Sequence, residues 1–235
     1  MSLTLMTHNV YWLQGMPFSS KNPGPPRENI VNGLLKIYRS IAPDILCLQE
    51  IQSLAAATRI WEGLNVSGHY IPGQKLQQYG GTIAGQVTEI AGQADASVER
   101  FWLKTRLTFN GWKGILCNIH LPSGDEKEEI RIQELQQMLD APPRPDFVVG
   151  DFNELPSDGL HAFMERSGYL DAAQLLHAGD RSTVVEDENR RIDYIWVSAL
   201  LRERVTSYRL IDAHELNLGE GRYLSDHLPV VVQLQ

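Results

Sequence analysis

The stretch Phe147-Val148-Val149-Gly150-Asp151-Phe152-Asn153-Glu154 constrains the fold of this chain more than any other. It follows a Pro-rich break, Ala141–Pro145, and opens as a short apolar run with no polar face. That pattern fits a buried strand. It then stops abruptly at Gly, Asp, Phe and Asn, so a carboxylate and a carboxamide reach the edge of a sheet. The strand edges of α/β proteins are where such folds place their chemistry.

Other segments supply neighbours for such a strand. Leu3–Val10 reads as a first strand, and Ile45–Leu48 is a continuous apolar strand closed by Gln49-Glu50. Between them, Ile30, Leu34, Leu35, Tyr38 and Ile41 share one face of a helix over 27–41, stopped by Pro43. A second helix covers Leu54–Leu64. Phe101, Leu103, Thr105, Leu107 and Phe109 alternate within 98–109. Asn110-Gly111 is a hairpin signal, and Ile115–Leu121 is the returning antiparallel strand. Ser123-Gly124-Asp125-Glu126 fits a capping box for a helix running to about Leu139. A helix over Ser157–Ser167, strands at 191–197, 205–211 and 228–234, and a polar loop over 212–223 complete the chain. No linker or repeat divides it, so residues 1–235 form a single domain of mixed sheets and helices.

The 235 residues carry a net charge of −8, and a free basic surface for holding duplex DNA is not evident. An acidic body can still enclose a locally positive or metal-bearing site. Cys47 and Cys117 each sit in an apolar run with no metal-finger spacing, and read as reduced, buried thiols. The first residues lack the marks of a signal peptide, and no apolar run is long enough for a transmembrane segment. A cytoplasmic location is the default expectation.

Six polar clusters fall at strand ends: His8-Asn9, Gln49-Glu50, Asn118 with His120, Asp151 with Asn153, Asp193, and Asp226-His227. Singly, each has a structural explanation, such as a turn Asn, a helix-capping Glu or a core His. Together they would crowd several carboxylates into one region, which is costly unless a cation offsets them. Carboxylates and carboxamides without thiolates suit a hard cation, Mg²⁺ or Mn²⁺, better than zinc.

The succession Thr-His-Asn9-Val, Leu-Gln-Glu50, Asn-Ile-His120-Leu, Gly-Asp151-Phe-Asn153, Arg-Ile-Asp193-Tyr-Ile and Ser-Asp226-His227-Leu-Pro resembles the endonuclease/exonuclease/phosphatase (deoxyribonuclease I-like) superfamily from Leu3 to Val232. The resemblance implies an α/β (α+β) fold, a four-layer αββα sandwich of two mixed β-sheets flanked by helices. It implies a metal-dependent hydrolase acting on phosphate esters, with Mg²⁺ or Mn²⁺ as cofactor. Glu50, Asn9 and Asp226 would serve the metal. Asp151 would act on the attacking water and Asn153 would hold a phosphate oxygen. His120 and His227 would stabilise the transition state, with Asp193 orienting His227. Tyr79–Gly85 departs from the family pattern: Gly81 stands where a polar group often helps hold the phosphate, and no catalytic role falls to that segment. Tyr11 has two readings, a residue near the site or a core aromatic.

The expected partner is a phosphate-ester substrate, with nucleic acid among the candidates, and no protein partner is evident. A phosphodiester leads, a phosphomonoester, phospholipid or inositol phosphate is the alternative, and a non-catalytic binding module is the third reading. Rim loops at 15–26, 72–92 and 212–224 would set the choice. Lys21, Lys75, Arg190, Arg191 and Arg222 are the candidate anion contacts. Trp12, Met16 and Phe18 are candidates for an apolar lip.

Overall fold

The computed structural model describes residues 2–20, 22–109 and 111–235. In chain order its elements are β1 (Leu3–Asn9), α1 (Glu28–Ile41), β2 (Ile45–Ile51), α2 (Leu54–Leu64), β3 (Gly68–Ile71), β4 (Gly80–Gly85) and β5 (Val87–Gln93). There follow β6 (Phe101–Phe109), β7 (Trp112–His120), α3 (Glu128–Asp140), β8 (Phe147–Asp151), α4 (Gly159–Arg166), β9 (Tyr169–Asp171) and α5 (Ala172–Leu175). The chain closes with β10 (Asp193–Ser198), β11 (Val205–Leu210), α6 (Ala213–Leu216), β12 (Asn217–Gly219), β13 (Arg222–Tyr223) and β14 (Val230–Leu234). No helix among the described residues is long and apolar enough to cross a membrane.

Two six-stranded mixed sheets form the centre, one ordered β11-β14-β1-β2-β4-β3 and the other β5-β6-β7-β8-β10-β9. Each holds one parallel pair, β1 with β2 and β7 with β8, inside otherwise antiparallel neighbours. The two sheets face each other with helices outside, the expected four-layer sandwich. Strands covered on both sides read as continuous apolar runs, and β2 and β8 are buried at every residue.

The facing layers are tied by a buried carboxamide bridge. Gln49 Nε2 of β2 donates to Asn118 Oδ1 of β7 at 2.7 Å and to Thr7 Oγ1 at 2.9 Å. Asn118 Nδ2 donates to the carbonyls of Leu48 (3.0 Å) and Thr82 (2.9 Å). Two of the polar residues at strand ends therefore hold the sheets together and stand apart from the chemistry. Cys47 and Cys117 are free and buried as expected, and burial pushes the Cys117 thiol up to about 12.

Several local expectations need correction. The predicted capping box is not formed: α3 starts at Glu128 after Lys127, which makes no side-chain cap, and Ser123 Oγ accepts from Arg100 Nη2 at 2.8 Å instead. The alternation in β6 exposes Arg106 and Thr108, but Lys104 on the same face is fully buried. Its ammonium donates to the carbonyls of Met138 (2.7 Å), Ala141 and Pro143 (3.0 Å), closing the C-terminal end of α3, while burial pulls its pKa down. The loop 212–223 contains α6, β12 and β13. The hairpin signal falls partly on Asn110, outside the described residues, though Phe109 opposite Trp112 confirms the antiparallel return.

Candidate active site

Strand direction explains why the polar ends meet. β1 and β2 end together, with Asn9 opposite Gln49, and β7 and β8 end together, with His120 opposite Asp151. β10 and β14 run antiparallel to those pairs, so their starting ends lie at the same edge. Asp193 is opposite Asp151, and β14 is preceded by Asp226-His227. All eight expected site residues thus share one edge of the sandwich.

Asp151 is the meeting point. Its Oδ2 accepts from Asn9 Nδ2 at 3.0 Å, lies 3.2 Å from His120 Nε2, and is 3.9 Å from His227 Nε2. Its Oδ1 accepts from the Asn153 backbone N at 2.9 Å. Asn153, at φ +50°, donates its amide to the Leu121 carbonyl at 3.0 Å. The chain approaches Asp151 through Gly150 at φ +136°, where an added Cβ would sit 2.0 Å from the Ile119 carbonyl oxygen. Gly150 is therefore needed for close strand approach inside β8, before the chain leaves the sheet.

His227 Nδ1 lies 2.8 Å from Asp193 Oδ2. Burial works against the charged ring, but Asp193, Asp226 and Asp151 outweigh it and hold the pKa well above the usual imidazole range. Burial conversely lifts Asp193 to about 6 against the attraction of His227. His120 goes the other way: burial, then the charges of Arg100 and His227, keep it well below the ordinary value and neutral.

Glu50 sits on an irregularity of β2, where the register with β4 shifts between Gln49 and Ile51, at φ +57°. Its Oε2 is buried without a hydrogen-bond partner, and burial lifts its pKa to about 8, with Asp226 and Asp151 adding to the rise. A buried orphan carboxylate oxygen beside further carboxylates is the donor that a hard divalent cation satisfies, so this residue set fits such a metal. Asn9 Oδ1 already accepts from Tyr11 N at 3.1 Å, leaving one lone pair to offer. Among the described residues a different set of potential ligand atoms also clusters, Asp151, Asp193 and His227, all within 4.8 Å of one another. In that trio the His227 Nδ1 and Asp193 Oδ2 atoms are already engaged with each other at 2.8 Å.

Three residues beyond the eight expected ones support this edge. Arg100 is buried beside the His120 ring, and its guanidinium lies 4.5 Å over the Tyr79 ring. A cation at a strand start reads as surface charge in sequence. Thr183 Oγ1 accepts from the backbone N of Ile192 and of Asp193, both at 3.1 Å, while its carbonyl takes Leu228 N at 2.7 Å. Thr183 thus clamps both partners of the Asp193–His227 pair. Ser225 Oγ donates to the Asn9 carbonyl at 2.7 Å, fixing the approach to Asp226.

Of the expected anion contacts, Arg191 is buried against Asp171 (2.5 Å) and Asp180 (2.9 Å) and is structural. Arg222 pairs with Glu220 at 3.3 Å and Lys75 is exposed. Arg190 lines a cleft of about 580 Å³ that Asn153 also borders. Lys21 lies outside the described residues. Trp12 and Met16 are buried, so the proposed apolar lip is absent at those positions. Gly81 contributes no polar group and instead receives the Phe101 ring of the facing sheet.

Residues 6–227 match the profile of the endonuclease/exonuclease/phosphatase family. Among curated proteins no sequence matches. Among solved structures, zebrafish (D. rerio) TDP2, described in complex with single-strand DNA product, superposes at TM-score 0.73 with 21% identity, covering 100% of this chain and 99% of that one. The catalytic domain of human nocturnin with bound sulfate gives 0.68 at 20% identity over 100% and 93%. A mannosyl-6-phosphatase of Bacteroides thetaiotaomicron gives 0.71 at 17% over 99% of each chain. At these identities the likeness speaks for the fold.

Proposed function

Since the chain belongs to the endonuclease/exonuclease/phosphatase family, whose members are hydrolases of phosphate esters, we propose that it hydrolyses a phosphodiester by direct attack of an activated water. The observation that carries this reading is the convergence on Asp151 of Asn9, His120 and His227 at one sheet edge, with the neighbouring Glu50 oxygen left unpartnered.

Asp151 is the base: it orients the water and takes its proton. Asn9 and the Asn153 backbone N fix the two oxygens of that carboxylate. Asp193 holds the protonated ring of His227, with the logic of the carboxylate behind a triad histidine, and His227 offers its positive charge to the phosphoryl oxygens as negative charge grows. His120, held neutral, contributes a hydrogen bond rather than a charge. The buried Arg100 adds a second positive group on its side. Glu50, Asp226 and the free lone pair of Asn9 would hold Mg²⁺ or Mn²⁺, and such a cation, when bound, polarises a phosphoryl oxygen and offsets charge at the leaving oxygen.

The preference for a diester, nucleic acid among the candidates, is supported by the fold shared with the TDP2 described on a single-strand DNA product. The sugar-phosphatase neighbour keeps a phosphomonoester as the second reading. The test is a panel with Mg²⁺ or Mn²⁺: bis(p-nitrophenyl) phosphate, single-stranded and plasmid DNA, RNA, sphingomyelin, inositol phosphates and sugar phosphates. Diester cleavage that disappears in Asp151→Asn is expected. Cleavage of monoesters alone would favour the second reading, and near-normal turnover by Asp151→Asn would sink the role of Asp151.

A further inference from the structure

Directly after Asn9 the backbone does something costly. Tyr11, Trp12 and Leu13 are three consecutive non-glycine residues in the left-handed region, at φ +48°, +51° and +57°. Each such residue brings its Cβ close to the following carbonyl oxygen, a conformation that non-glycine residues disfavour. The turn is held from all sides: Tyr11 N on Asn9 Oδ1, Leu13 N on the Val10 carbonyl (2.9 Å), Arg27 N on the Leu13 carbonyl (3.0 Å), and Gln14 Nε2 on the carbonyls of Gly24 and Pro25 (3.1 and 3.0 Å).

The result is a group of rings beside the reaction centre. Tyr11 stacks on Trp12 at 5.4 Å and 24°, and Phe18 lies edge-on to both at 6.1 Å. Trp12 meets Tyr79 edge-on at 5.1 Å. Tyr11 and Phe18 are half-buried, while Trp12 is 6% exposed. The Tyr11 phenol lies close enough to Asp226 and Glu50 for their charges to add to the effect of burial and lift its pKa to about 12. Its hydroxyl is spent on the Phe18 carbonyl at 2.5 Å, which fixes the ring and leaves its aromatic surface as what it can offer. The Trp12 indole N–H is buried without an acceptor. Two guanidiniums lie over the group, Arg27 at 5.7 Å from Phe18 and Arg100 at 4.5 Å from Tyr79.

Resting on the phosphodiesterase reading, we propose that the half-buried rings of Tyr11, Phe18 and Tyr79, backed by the buried Trp12, form a stacking subsite for the nucleobase adjoining the scissile phosphate. Rings flanked by guanidiniums and next to a phosphate-handling edge suit a ligand that is planar and anionic at once. A nucleotide is such a ligand. A lipid chain is a poor match, because the larger apolar side chains here, Trp12 and Met16, are buried and the half-exposed rings are bordered by charge.

The experiment compares cleavage of thymidylyl-thymidine with its two analogues lacking one thymine base. Loss of the base on one side should lower kcat/KM by about 5- to 150-fold, the range of a single base–aromatic stack, and loss on the other side should matter less. Phe18→Ala should shrink that ratio, and Tyr11→Leu should do the same. Equal kcat/KM for all three substrates, or a ratio that survives both substitutions, would overturn the subsite. Calorimetric binding of thymidine 5′-monophosphate against 2-deoxyribose 5-phosphate separates this from the function itself. A nucleotide advantage that Phe18→Ala removes, without cleavage of any ester, leaves the subsite standing and defeats the hydrolase reading. Equal affinities defeat the subsite whatever is cleaved.

Discussion

Replacing Gly81 by alanine should damage both stability and turnover, although Gly81 touches no substrate. An ideal Cβ at this position would lie 1.9 Å from Phe101 Cζ, with two further ring carbons at 2.4 and 2.6 Å. Ordinary contact begins at 3.4 Å, so the ring must retreat by 1.5 Å, the difference between 3.4 and 1.9 Å. Phe101 is 1% exposed and cannot swing into solvent. It sits opposite His120 in the β6–β7 register, and its ring meets the imidazole at 6.3 Å, nearly perpendicular. The displacement therefore passes to the group 3.2 Å from Asp151. Overpacking of this kind costs about 2–3 kcal/mol. For a chain of this length that lowers Tm by about 4–12 °C. A shift of even part of an ångström at His120 should cost about tenfold or more in kcat. Thermal melts and steady-state kinetics on the same preparation would measure both. Phe101→Leu in the Gly81→Ala background should recover part of the lost stability, because the smaller side chain vacates the contested space. If Gly81→Ala melts and turns over like the parent, or if Phe101→Leu adds its full loss on top, the steric argument fails.

Three further outcomes are expected. Asp193→Ala and His227→Ala should each lower kcat by roughly 10³-fold or more, and the double variant should be little worse than either, because the two act as a unit; additive losses would argue against the pair. Glu50→Gln should weaken Mn²⁺ binding, read by calorimetry or Mn²⁺ spectroscopy, by at least about tenfold while the melting curve of the metal-free protein stays the same or rises, since a buried carboxyl at about 8 is replaced by a neutral amide; unchanged Mn²⁺ affinity would remove Glu50 from the metal set. His8, buried between the Tyr38 hydroxyl (2.8 Å) and the His227 carbonyl (3.0 Å), is pulled down by burial to about 3. The unfolded chain therefore takes up one more proton below about 6.5, so the stability from a neutral His8 is full above that value and drains away as pH falls toward 3. Relative to His8→Gln, the parent should lose about 2 kcal/mol between pH 8 and pH 5, read from urea midpoints, and parallel pH profiles would contradict this.

The residues that could be read from sequence are those whose position follows from strand period and strand ending. Asn9, Glu50, His120, Asp151 and Asp193 each close or open an apolar run, and register alone brings them together. Arg100 and Thr183 could not be read this way. Their importance comes from what packs on them across the fold, a Tyr79 ring in one case and two backbone amides of another segment in the other. The strand β4, Gly80–Gly85, also escaped, since its glycines lower strand propensity and its place is secured by Phe101 from the opposite layer. Arg191 misled for the complementary reason: a lone charge looks like surface until Asp171 and Asp180 are seen beside it. The capping box at Ser123 failed, though the helix formed, because the Ser123 hydroxyl accepts from Arg100 instead.

The carboxamide bridge between Gln49 and Asn118 has a consequence for when this chain becomes competent. Asn9, Glu50, Asp226 and His227 come from one layer, and His120, Asp151, Asn153 and Asp193 from the other. Neither layer alone holds the proposed catalytic set, and the Asn9–Asp151 hydrogen bond joins residues of the two layers. Turnover is thus a late readout of folding: a collapsed state with both sheets formed but undocked would show its full far-ultraviolet signal and hydrolyse nothing. Mild loosening of the seam, by Gln49→Leu or by dilute urea, should silence the enzyme before any strand is lost.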